Sequence, residues 1–149
     1  MKQPISLDQQ QIGALIDAAI KARAYAYAPY SGFLVGAALL DGQGQMHTGC
    51  NIENAAYTPS VCAERTALFS AVAKGIKTFR ALAVVGARQG ETPGYVTPCG
   101  VCRQVLSEFC PPDMPVIAAE SDRAYRIYTL GQLLPHHFGP DHLREGGGK

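Results

Sequence analysis

Helices alternating with apolar strands predict an α/β protein built as a three-layer α/β/α sandwich. Two observations carry that reading. One is an amphipathic N-terminal stripe at helical spacing. The other is a set of five strand-like runs, one of them apolar on nearly every residue. A chain of 149 residues is long enough to bury one substantial core, and 47% hydrophobic content suits a globular domain. One domain over 1–149 is expected, with a disordered tail at 144–149 that ends in Gly146-Gly147-Gly148-Lys149.

Ser6-Leu7-Asp8-Gln9 reads as a capping box. Ile12, Leu15, Ile16, Ala19 and Ile20 then recur at helical spacing, which predicts a helix to about Ala26 that ends before Pro29. Phe33 to Leu40 reads as a strand. Asp41-Gly42-Gln43-Gly44 reads as a tight hairpin turn with positive φ at its centre, and Gln45 to Ile52 as the return strand. Alternation places Asn51 and Glu53 on one face of that strand end, two polar groups suited to vicinal hydroxyls of a sugar. A helix follows from near Cys62, with Gly75 as its C′ residue. Phe79 to Ala87 is the nearly continuous apolar run, so a strand covered on both faces. Arg88 to Tyr95 is a loop. A third helix runs from about Cys99 to Phe109, Met114 to Ala119 and Ala124 to Tyr128 are further strands, and Thr129 caps a short helix through Leu134. Strand order does not follow from the pattern.

Composition excludes several classes of function. No apolar run is long enough for a membrane span. A formal net charge of +1 with scattered Lys and Arg argues for a small substrate over nucleic acid. Met1-Lys2-Gln3-Pro4 lacks a signal-peptide stretch, so a cytoplasmic, reducing location is expected, with the five cysteines as thiols or metal ligands.

The chemistry concentrates in Cys62-Ala63-Glu64-Arg65 and Pro98-Cys99-Gly100-Val101-Cys102. Two thiols in Cys-x-x-Cys at a turn entering a helix can hold one tetrahedral ion, with Cys62 as third ligand. Three ligands leave a position open for water, as a catalytic zinc site requires. Cys62 and Cys99 both fall at helix starts, where the dipole and free N–H groups favour thiolates. Glu64 flanks the site without ligating and is placed to shuttle a proton. Three thiolates on Zn²⁺ leave a charge of about −1, and Arg65 is placed to offset it by hydrogen bonding to sulfur.

These blocks resemble the zinc-dependent cytidine deaminases of the small homotetrameric type. The resemblance extends through Tyr30-Ser31-Gly32-Phe33, Gly49-Cys50-Asn51-Ile52-Glu53-Asn54-Ala55-Ala56-Tyr57, Arg103-Gln104 and Leu133-Leu134-Pro135. The signature of that wider class is a metal ligand, a glutamate two residues on, and Pro-Cys-x-x-Cys. The resemblance implies a five-stranded mixed sheet with helices on both faces, one Zn²⁺ per subunit, and hydrolytic deamination of cytidine and deoxycytidine. It further implies Glu64 as proton carrier and Phe33 stacking on the pyrimidine. Asn51 and Glu53 would hold the ribose, and the Ala63 N–H the ring carbonyl. Ala55, Tyr57 and Phe138 would reach a neighbouring subunit's site. Three other readings stand beside it: a structural zinc module with Cys50 or Cys110 as fourth ligand, a deaminase of single-stranded nucleic acid, and a deaminase of another aminopyrimidine. Cys50 and Cys110 read as buried apolar cysteines, His136-His137 as non-ligating, and His47 and His142 as ordinary strand and tail residues.

Overall fold

The computed structural model describes residues 5–144, so the expected tail lies, apart from Arg144, outside the described residues. Among the described residues, four helices and five strands alternate as anticipated: α1 (Gln9–Arg23), β1 (Phe33–Asp41), β2 (Met46–Cys50), α2 (Ala63–Ala73), β3 (Phe79–Arg88), α3 (Gly100–Phe109), β4 (Pro115–Ser121), β5 (Ala124–Thr129) and α4 (Leu130–Leu133), followed by a 3₁₀ turn at Pro140–His142.

The strands form one sheet in the order β2-β1-β3-β4-β5. β3 and β4 are parallel, and every other neighbouring pair is antiparallel. Alternation along the strands divides the core in two. Ala38, Leu40, Ala81, Ala83, Val85 and Ile117 face α1 through Ile12, Leu15, Ile16 and Ala19. Ala37, Leu39, Leu82, Val84 and Val116 face the opposite way, toward Ala67, Leu68 and Ala71 of α2 and Leu106 of α3. Those are the three layers. Each fully buried Leu or Ile adds roughly 1.5–3 kcal/mol of burial.

Two glycines let the layers close. A Cβ on Gly36 would strike the backbone of α1 at Ala19 and Arg23. One on Gly49 would strike the backbone of α2 at Ala63 and Ala67. α2, the helix after Cys62, is therefore seated directly on β2.

Four local expectations are corrected. The α1 capping box is Asp8 with Gln11, two residues beyond Ser6 and Gln9; the Asp8 carboxylate accepts the Gln11 N–H at 2.7 Å, and a charged cap answers the helix dipole better than a hydroxyl. The helix stops at Arg23, and Ile20 is 40% exposed. The hairpin carries its positive φ on Gly44 (88°) alone. Its turn is closed by the Asp41 carboxylate, which accepts the N–H groups of Gln43 (2.8 Å) and Gln45 (2.9 Å). The second Asp41 oxygen lies 2.8 Å from His47 Nε2, and both side chains are buried. His47 is thus one half of an interior pair, not an ordinary strand residue. Gly75 at φ 85° ends α2, and Thr129 caps α4 by bonding the Gln132 N–H, both as expected.

Candidate metal centre and cleft

Cys62 is the N-cap of α2 and Cys99 the N-cap of α3. In both, the cap backbone is extended while the next residue enters the helix, so each thiol stands where free N–H groups gather. Cys102 lies one turn into α3 and is buried. Two helices from different parts of the chain thereby bring three sulfurs together, all within 4.8 Å of one another. Cys62 Sγ and Cys99 Sγ are 3.8 Å apart. Sulfurs bound to one tetrahedral zinc at about 2.3 Å stand roughly 3.8 Å apart, so the donor set fits that ion. Among the described residues, no fourth His, Cys, Asp or Glu joins the group. Cys50 ends β2 half-buried, and Cys110 is buried among the apolar side chains under α3. Neither supplies the fourth ligand that a closed structural site needs, and His136 and His137 also lie outside the group.

Arg65, on the first turn of α2, donates from Nη2 to Cys62 Sγ at 3.4 Å. Its buried Nε–H has no partner among the described residues. A hydrogen bond from the Cys102 thiol, joined by Arg65 and Cys99, pulls the Cys62 thiol down to about 5 against the effect of burial. The same bond to Cys62, with burial and the nearby Glu64, pushes the Cys102 thiol up. Of the Cys62–Cys102 pair, the Cys62 thiol is the more readily ionised.

Glu64 is 4% exposed. Burial is the main cause that raises its carboxyl to about 7, with the charge on Cys62 adding and Arg65 opposing. A carboxyl balanced near neutrality can both accept and return a proton.

Glu64, Cys62 and Cys99 open on a cleft of about 350 Å³ whose other walls are Ser31, Phe33, Val35, Asn51, Ala63, Val84, Val96 and Thr97. The walls are chiefly apolar, as small-molecule sites are. Asn51 is spent partly on structure: Oδ1 accepts the Val35 N–H at 2.8 Å, and Nδ2 donates to the Phe33 carbonyl at 2.8 Å. The side chain that faces the cleft also pins the start of β1. Glu53 does not line the cleft in this chain. Its Oε1 accepts the N–H groups of Tyr30 and Ser31, each at 3.0 Å, and it holds the loop before Phe33. Hydrogen bonds from Ser31 and Tyr30 keep its carboxyl below the usual range. Past the end of β2 at Cys50 the chain stays extended: Ile52 bridges Tyr27 and Val61, the Tyr27 N–H donates to the Asn51 carbonyl, and the Glu53 N–H donates to the Tyr27 carbonyl.

Ala55, Tyr57 and Phe138 also stand outside the cleft of their own chain. Tyr57 is 71% exposed at φ 59°, edge-on to Tyr30. Phe138 is 57% exposed and stacks on His142 at 4.9 Å. Ser31, Val35, Val84, Val96 and Thr97 are wall residues that sequence reading did not single out. Val84 was legible only as a member of the apolar β3 run.

A metal centre open toward an apolar cleft, with a neutral-range carboxyl beside it, is the equipment of a zinc-dependent hydrolase, and fold and site together define that class. Residues 9–118 match the family model described as the cytidine and deoxycytidylate deaminase zinc-binding region, and the chain belongs to that family. It is 50% identical over 129 residues to a cytidine deaminase of Sporosarcina psychrophila, a match that covers 87% of this chain and 92% of that one. The structure resembles the crystal structure of cytidine deaminase from Burkholderia pseudomallei with a TM-score of 0.76 at 49% identity, over 84% of this chain and 97% of the other. The cytidine deaminase of Mycobacterium tuberculosis gives 0.75 at 37% identity, over 90% and 99%. No helix among the described residues is long and apolar enough to cross a membrane.

Proposed function

We propose that this chain is a zinc-dependent aminohydrolase that converts cytidine and 2′-deoxycytidine to the corresponding uridines and releases ammonia. The observation that carries the reading is the buried Glu64 carboxyl beside three sulfurs at zinc spacing, with Glu64, Cys62 and Cys99 opening on an apolar cleft.

Cys62, Cys99 and Cys102 are the residues that would hold the ion. When bound there, zinc supplies a Lewis acid that activates water for attack on the amine-bearing ring carbon. The rest of the work falls to the chain. Phe33 lies along the cleft wall and packs on the pyrimidine face. The Ala63 N–H, first of α2 and without an intrahelical partner, donates to the ring carbonyl. An ionised Glu64 oxygen takes a proton from the attacking water and delivers it to the ring nitrogen next to the reacting carbon. The same carboxylate then moves the second proton to the departing amine. The Val84, Val96 and Val35 walls keep bulk water from the exchange. Asn51 retains capacity for a sugar hydroxyl beyond its two bonds to β1, since an amide offers two donors and two lone pairs.

The assembly in this reading is a homotetramer in the cytoplasm, with no nucleic acid as substrate. Ala55, Tyr57 and Phe138, exposed and away from their own cleft, are then available to a neighbouring subunit, and Glu53 keeps one carboxylate oxygen free for the ribose.

The test is a steady-state assay on cytidine, deoxycytidine and free cytosine, with zinc measured on the same sample. Turnover of both nucleosides at one zinc per chain is expected. A zinc-loaded protein that releases no ammonia from either nucleoside would overturn the reading in favour of a structural metal module.

A further inference from the structure

The Thr97-Pro98-Cys99 segment supplies both a cleft wall and a metal ligand, yet it lies outside any helix or strand. Something must hold it. Proline at 98 has no N–H to give, so backbone bonding cannot do so alone. Arg103, one turn into α3, reaches back to it. Its Nε donates to the Pro98 carbonyl at 2.6 Å and its Nη2 to the Thr97 hydroxyl oxygen at 2.9 Å. Its Nη1 donates to the Leu133 carbonyl at 2.7 Å, at the end of α4. The Arg103 backbone N–H closes the turn on the Cys99 carbonyl at 3.0 Å. No carboxylate among the described residues pairs with this guanidinium.

We propose that Arg103 is a positioning residue for the metal centre, acting through the Pro98–Cys99 peptide. This rests on the zinc reading given above. The Pro98 carbonyl belongs to the peptide plane that runs to the Cys99 Cα. Fixing that oxygen on one side, and the Cys99 carbonyl through the Arg103 N–H on the other, holds the backbone from which Cys99 Sγ projects. The guanidinium touches no sulfur; Arg65 does that. The two arginines therefore divide the task, one acting on charge at the sulfurs and one on the geometry of the loop. The third arm, to Leu133, anchors the guanidinium to a separate element, so the loop is referenced to the C-terminal segment as well as to α3. A planar fork with five donors suits three acceptors in different directions, whereas an ammonium on a flexible stem satisfies them less well.

The experiment uses the zinc-loaded full chain as wild type, Arg103→Met and Arg103→Lys, with Asp41→Asn as a control destabilised at the distant hairpin. Zinc release to a chromogenic chelator, kcat and KM for cytidine, and Tm are measured on each. Loss of a residue that orients a ligand costs on the order of 10–100-fold in metal retention or activity. Arg103→Met is expected to release zinc at least about tenfold faster and to lose kcat more than it raises KM, with Arg103→Lys falling between it and wild type. The control is expected to lower Tm without faster zinc release. Wild-type release rates in Arg103→Met, or equal acceleration in the Asp41→Asn control, would overturn the proposal. Wild-type zinc content and turnover report separately on the underlying zinc reading.

Discussion

Gly49→Ala tests whether the seat of α2 sets the position of the catalytic side chains. A Cβ at residue 49 would lie 2.5 Å from the Ala63 carbonyl oxygen and closer still to the Ala67 nitrogen, where ordinary contact begins at 3.4 Å. Both obstacles are helix backbone, which cannot rotate aside as a side chain would. Clearing the Ala63 oxygen alone takes a lift of roughly 0.9 Å, the difference between 3.4 Å and 2.5 Å, and clearing the Ala67 nitrogen takes slightly more. Cys62 and Glu64 are attached to its first turn and move with it. Overpacking of this kind costs about 1–3 kcal/mol, or a Tm loss of about 2–12 °C in a chain this size. A displacement near 1 Å at reacting groups costs on the order of 10²-fold in rate. Loss of cytidine absorbance gives kcat, and zinc content and Tm are taken from the same preparation. Gly13→Ala is the companion: in mid-α1 its Cβ meets nothing within 4 Å, so the same chemical change is expected to stabilise by roughly 0.4–1 kcal/mol. A Gly49→Ala protein with full zinc and kcat within twofold of wild type would refute the reasoning.

Three further outcomes are expected. Glu64→Gln keeps the shape but removes the proton carrier, so zinc and Tm hold while kcat falls about 10²–10⁴-fold; near-normal turnover would place the shuttle elsewhere. Arg65→Ala removes the hydrogen bond to Cys62 Sγ and should speed zinc loss about tenfold or more, read as metal content after dialysis against a weak chelator; unchanged content and kcat would dismiss the role. The Asp41 carboxyl is held below its usual value, first by the hydrogen bond with His47. A depressed carboxyl adds stability above its unfolded value near 4, and the gain is lost as pH falls through the lower folded value. Denaturant melts should accordingly show Asp41→Asn less stable than wild type by roughly 1–3 kcal/mol near neutrality, with the gap closing below about pH 4; a gap independent of pH down to acid unfolding would contradict the pairing.

The layers were legible because burial is periodic. The continuous run Phe79 to Ala87 could only be a strand covered twice, and it is the central β3. The metal trio was legible because ligands at two helix starts leave a local spacing in the chain. Asp8 and Ser6 both satisfy a capping pattern with a glutamine three residues on, so the choice between them depended on where α1 meets the sheet. His47 carried a usable signal: it shares its strand face with Gly49, which faces α2, and an inward histidine needs a partner such as Asp41 on the facing strand. Arg103 stood in the sequence only as part of the Arg103-Gln104 block, and its task was not legible there, since two of its acceptors are backbone carbonyls 5 and 30 residues away and the third is the Thr97 hydroxyl. The loop-holding role of Glu53 was missed because its partners, the N–H groups of Tyr30 and Ser31, stand 23 and 22 residues away along the chain.

Neighbouring residues of β3 serve separate masters. Val84 is part of the cleft wall, whereas Val85 packs beneath α1 on the far side of the sheet. The room available to a base can therefore be enlarged or narrowed at one position while the other layer keeps its fit. A substitution at Val84 bears on the cleft and on one core layer, while the next side chain along the strand belongs to the other layer.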